Sequence, residues 1–126
     1  MPLSVNARVQ AAQSFVLNVQ SARECLQQQE GTQVEQRYGA LLVQLKEARE
    51  YLHWNPEAGR PTRFLHARSA QGRSMADRAS SLAVAHGVPQ LRELIVKPYV
   101  LLYAHGDDRV VLLALKHERE LLFQLP

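Results

Sequence analysis

Val110-Val-Leu-Leu-Ala-Leu115 is an apolar run without a single polar interruption. A strand with one wet face alternates polar and apolar residues. A strand that does not alternate is covered on both faces. Any fold for this chain must therefore place a layer on each side of this strand. Two further runs precede it, Leu91 to Val96 and Tyr99 to Ala104, rich in valine, isoleucine, leucine and tyrosine. Lys97-Pro98 separates the first two, and His105-Gly-Asp-Asp108 separates the second from the third. Each break suits a tight antiparallel turn, so the pattern predicts a three-stranded meander.

The cover comes from upstream. Leu3, Val5, Ala7 and Val9 alternate with Ser4, Asn6, Arg8 and Gln10, which predicts a short, half-buried strand. From Ala11 the period lengthens. Ala12, Phe15, Val19, Ala22 and Leu26 share one helical face, and Gly31 stops it. Thr32-Gln-Val-Glu35 fits a capping box. Val34, Tyr38, Leu41, Leu45, Ala48 and Leu52 then form the clearest stripe in the chain, ended by Asn55-Pro56. Two helices joined this closely form an antiparallel hairpin. The hairpin covers one face of the meander. The other requires a tail, the middle segment or a partner chain.

That middle segment, Pro56 to Pro89, reads as a loop and then a short helix. Ser74-Met-Ala-Asp77 fits a helix start, Met75, Ala79, Leu82 and Ala83 a weak stripe, and Gly87 a stop. The whole predicts one α+β domain over residues 1–126, with helices stacked on one face of a small sheet and an irregular or helical insertion about 62–89.

Composition narrows the function classes. One cysteine, Cys25, excludes a disulfide scaffold and fits a reducing cytosol. No basic leader and no long apolar run are read, so a cytoplasmic chain without membrane contact is expected. The net charge of +3 permits a polyanionic partner without demanding one. His53, His66, His86 and His105 lack zinc spacing, and glycine-rich phosphate loops and nucleophile elbows are missing, so no metal or cofactor is expected.

The last third, "LRELIVKPYVLLYAHGDDRVVLLALKHERE", resembles the C-terminal half of the RelE/ParE toxin superfamily of bacterial type II toxin–antitoxin modules. The matching features are Arg92-Glu93, the Tyr99 to Tyr103 strand, the Gly106-Asp107-Asp108 turn and His117-Glu-Arg119. "NPEAGRP", Asn55 to Pro61, also looks like the proline-glycine-arginine segment after that family's second helix. The stretch from Thr62 to Pro89 departs from the short link of compact members and leaves Arg63, Arg68 and Arg73 without an assigned place.

The resemblance implies a growth-inhibiting toxin held inactive by a cognate antitoxin. One branch of the superfamily poisons DNA gyrase. The other cuts mRNA on the ribosome. Fold alone does not choose between them. Metal-free RNA cleavage needs an acid, a base and cations around the phosphate. The candidates are His117 as acid or base, Tyr103 as proton donor or stacking ring, and Arg92 and Arg119 as phosphate clamps. If the last strand runs past Leu115, His117 and Arg119 share a face and Lys116 and Glu118 take the other. Any strand emerging into water would produce the same pattern. Tyr99 and Tyr103 equally suit a core, and the arginines from Arg60 to Arg78 a solvated loop.

The gyrase branch is the first expectation. The helical hairpin is long, and the basic set on the sheet is sparse for a nuclease. Target contacts are then expected at Lys116, His117 and Arg119, with Arg60 and Arg63 as further candidates. The ribosome-dependent endoribonuclease is the alternative, and an inactive binding protein on the same scaffold is the third reading. An apolar sheet face lacking its own cover would supply the antitoxin site. Self-association through paired hairpins is a further expectation.

Overall fold

The computed structural model describes residues 6–30, 33–62 and 68–126. Chain order is β1 (Arg8–Ala11), α1 (Gln13–Glu30), α2 (Val34–Trp54), β2 (Arg60–Pro61), α3 (Ala70–Ala85), β3 (Gln90–Val96), β4 (Tyr99–His105) and β5 (Arg109–His117). The strands form one mixed sheet in the order β1-β5-β4-β3-β2. The meander β3-β4-β5 is antiparallel, and β1 lies parallel to β5. The α+β reading and the meander hold. Val96 pairs with Tyr99, so Lys97-Pro98, joined by a cis peptide, is the whole turn.

Both faces of β5 are covered from within the chain. On one side Phe15 of α1 and Leu41, Ala48 and Leu52 of α2 pack on Leu101, Tyr103, Val110, Leu112 and Leu115. On the other, Met75, Ala79 and Ala83 of α3, with Phe123 of the tail, pack on Val100, Leu102, Ala104, Val111, Leu113 and Ala114. Helices therefore lie on both sheet faces rather than on one, and among the described residues the meander keeps no uncovered apolar face of the kind expected as an association site. The insertion and the tail together fill that role.

The missing alternation in β5 has a local cause as well. Leu102 pairs with Ala114 but Tyr103 pairs with Leu112, so Leu113 is the extra residue of a bulge. The bulge puts Leu113 and Ala114 in the same cluster and returns Leu115 to the hairpin side.

The bulge leaves backbone groups to satisfy, and β1 stops pairing at Leu112. There α1 takes over. Ser14 Oγ donates to the Leu113 carbonyl at 2.6 Å. Asn18 Oδ1 accepts the Leu115 N–H at 2.9 Å. Ser14 and Asn18 are four apart, hence on one helix face, and both are buried. The outer edge of β1 is tied down by α2. Ala7 N–H donates to the His53 carbonyl, His53 Nδ1 meets the Ala7 carbonyl, and Arg49 donates to the Val9 carbonyl.

Several boundaries move. The first strand keeps its alternation at Ala7 and Val9 but begins pairing at Arg8, while Leu3 and Val5 lie outside the described residues. Thr32 of the expected capping box also lies outside them, and Glu35 forms an ion pair with Arg23 of α1. The start of α3 is corrected from Ser74 to Ala70. Ser69 is the N-cap, its Oγ accepting the Gly72 N–H at 3.0 Å. Gly87 ends the helix as expected, with φ +74°. The two-residue β2 was not anticipated. Among the described residues no helix is long and apolar enough to cross a membrane.

Candidate functional site

Arg92, Tyr103, His117 and Arg119 divide into two places. Arg92 sits opposite Tyr103 on β3, while His117 sits opposite Tyr99 on β5. Four residues along the ladder and two strands across separate Arg92 from His117 by roughly 16 Å.

The first place is a closed network. Tyr103 is fully buried, and its hydroxyl accepts the Gly59 N–H at 2.9 Å and donates to the Pro56 carbonyl at 2.7 Å. Burial holds the phenol above its ordinary range, outweighing the Gly59 hydrogen bond and the Arg92 charge that oppose it. Arg92 donates through Nη1 to the Gly59 carbonyl at 2.9 Å and through Nε to His105 Nε2 at 3.0 Å. Arg60, a candidate target contact, pairs with the buried Glu93 at 3.0 Å. The segment Asn55 to Pro61 is thus fastened to the sheet by side chains of β3 and β4. A glycine is required at position 59. A Cβ there would lie 2.5 Å from the Glu93 carbonyl oxygen and 2.8 Å from the Tyr103 ring. Arg63 lies outside the described residues.

The second place is a groove of about 370 Å³ between α1, the β3–β4 turn and the end of β5. Tyr99, Leu115, Ala22 and Leu26 line its apolar part, and Arg37, Lys116, His117 and Arg119 its basic part. Strand β5 reaches His117 and then turns, so Arg119 is placed by that turn rather than by strand alternation. The Arg119 N–H donates to His117 Nδ1 at 3.1 Å. In the neutral ring the proton therefore sits on Nε2. The His117 N–H donates to the Glu120 carboxylate, and the imidazole stands edge-on to Tyr99, ring centroids 5.5 Å apart. Burial raises the Tyr99 phenol above its ordinary range, with charge at Cys25 and Glu120 adding to it. Lys116 donates to the Glu120 carbonyl and lies over the Phe123 ring, fastening the tail.

The groove can offer an imidazole, guanidinium donors and a protected phenol to a ligand bearing negative charge and an apolar group. Sequence reasoning missed Arg37 and Tyr99 as groove residues. Arg37 follows Val34 on α2 and carries no motif, and only tertiary packing brings it to the strand end. Among the described residues no cluster of three or more histidine, cysteine or acidic side chains could hold a metal. No family model matches the chain, and no curated protein matches it.

Proposed function

We propose that this chain is the toxin of a bacterial type II toxin–antitoxin module of the RelE/ParE kind, and that it acts by binding DNA gyrase rather than by cutting RNA. The observation that carries the choice is the division of the four candidate catalytic residues. Arg92 and Tyr103 spend their hydrogen bonds on Gly59, Pro56 and His105, roughly 16 Å of strand geometry from His117. A nuclease centre needs its acid, base and cations around one phosphate. The groove at Lys116, His117 and Arg119 remains as a contact surface for the target. Element order supports the toxin reading, since strand, helical hairpin and antiparallel meander follow one another as that resemblance implies. The cognate antitoxin would engage helix surface and groove, because both sheet faces are filled. Leu17, Val43, Tyr51 and Trp54 on the hairpin are large apolar side chains left to solvent.

A ribosome-dependent endoribonuclease is the second reading, favoured by one arrangement: the His117 imidazole beside Arg119 and Tyr99 in the same groove. Supercoiling of relaxed plasmid by gyrase, with purified toxin and with and without antitoxin, separates the two. Inhibition with accumulating cleaved DNA, reversed by antitoxin, is expected. No inhibition from a preparation that still stops growth overturns the gyrase reading. Ribosome-bound mRNA with His117→Ala is then the decisive substrate and variant.

A further inference from the structure

His105 lies in the sheet with only 4% of its surface exposed, and both ring nitrogens are engaged. Nε2 accepts the Nε–H of Arg92, because a guanidinium has only donors. Nδ1 lies 3.0 Å from the Gly106 carbonyl, which has only acceptors, so Nδ1 bears the ring proton. The geometry admits one state, the neutral Nδ1–H tautomer. A second proton has nowhere to go but Nε2, directly against the Arg92 guanidinium.

Arg92 is also a tie on the Asn55 to Pro61 segment, through the Gly59 carbonyl. We propose that His105 and Arg92 form an acid-opened latch: protonation of His105 expels Arg92, and the segment linking α2 to β2 loses that tie to the sheet. The proton and the Arg92 Nε–H compete for the same lone pair on Nε2, so the latch is closed at higher pH and opens as pH falls. Other groups do not compensate. Across the ladders His105 meets Gln90 and Val110, neither of which titrates. Its own strand offers the Tyr103 ring, 6.1 Å away and held neutral by burial. Glu57 and Tyr51 act on Tyr103. Asp107 and Asp108 are exposed in the following turn, and Arg109 turns to Gln10. The latch is independent of the target proposed above.

Hydrogen exchange of the Arg92 Nε–H and the Gly59 amide, followed by NMR on the full chain between about pH 8 and 5, tests it. Protection beyond intrinsic exchange is expected to fall as pH is lowered, by at most about tenfold per pH unit because opening takes up one proton. The variant His105→Gln, whose carboxamide oxygen accepts from Arg92 without titrating, is expected to show a flat profile. Protection that stays constant while the ring takes its proton overturns the latch, and so does an equal loss in His105→Gln. If that variant fails to fold, nitrogen shifts of the wild-type ring decide. A neutral Nε2–H tautomer, or a ring that stays neutral until the chain unfolds in acid, refutes the proposal.

Discussion

Replacing Tyr103 by phenylalanine removes one oxygen and leaves two buried backbone groups without partners, the Gly59 N–H and the Pro56 carbonyl. Each unsatisfied buried group costs about 1–3 kcal/mol. The ring itself stays, so no large cavity term is added. The expected loss is about 2–4 kcal/mol, somewhat below the sum because Gly59 and Pro56 sit in one loop that can relax together. At roughly 2.1 cal/mol/K per residue, a chain of this length shifts its Tm by about 4 °C per kcal/mol. Thermal and urea unfolding should therefore show a Tm lowered by about 8–15 °C and a lower urea midpoint at unchanged slope. The growth inhibition proposed for the chain, measured well below the variant's Tm, should persist. A stability change under about 0.5 kcal/mol would refute the reasoning, since that is the range of surface substitutions. Full stability with abolished activity would instead give the hydroxyl a chemical role.

Alkaline pH should weaken the fold through the same groups. The folded-state values of Tyr99 and Tyr103 are raised above 10.0, so the unfolded chain ionises first, and stability present below about pH 10 is lost as pH rises through the folded values. Urea midpoints on either side of that pH should show the decline, and a smaller one in Tyr103→Phe. Asn18→Ala leaves the Leu115 N–H buried without its acceptor and should cost about 1–3 kcal/mol, with faster exchange of the Leu115 amide. Gly59→Ala should cost about 2–3 kcal/mol, because its Cβ collides with backbone rather than with a flexible tip. Gly39→Ala in α2 meets nothing within 4 Å and should stabilise by about 0.5–1 kcal/mol. Paired denaturation curves of the two glycine variants compare these opposite signs directly.

Elements with a strong period were legible before the structure. The stripe of α2 appears in the fold as Val34, Leu41, Ala48 and Leu52, all buried. The meander appears with its turns in place, because punctuation and length both mark strands. Contacts that depend on register were not legible. Nothing local in Arg92 announces that it will meet His105 thirteen residues later, since that pairing follows from strand alignment and face. Ser14 and Asn18 look like polar residues beside an apolar stripe, and only the bulge at Leu113 gives them a buried task. Ser74-Met-Ala-Asp77 imitates a helix start inside α3, because serine and aspartate suit both a cap and an exposed helical face. The cover of the second face was narrowed only to a tail, the middle segment or a partner chain, as α3 contributes small residues, Ala79 and Ala83, that form a weak stripe. For the site, His117 and Arg119 do share a groove, but a turn brings them together rather than strand alternation.

The handover along β5 from β1 to α1 bears on self-templated assembly. A sheet invites a stray strand wherever its margin offers a row of open backbone groups. Here Ser14 and Asn18 occupy β5 beyond the reach of β1, and His53 and Arg49 occupy groups on the outer margin of β1. A second chain arriving with an extended segment meets helix side chains where a ladder would have begun. Fibre growth by strand addition is thereby hindered at this margin, because Ala7 and the Val9 carbonyl are already engaged.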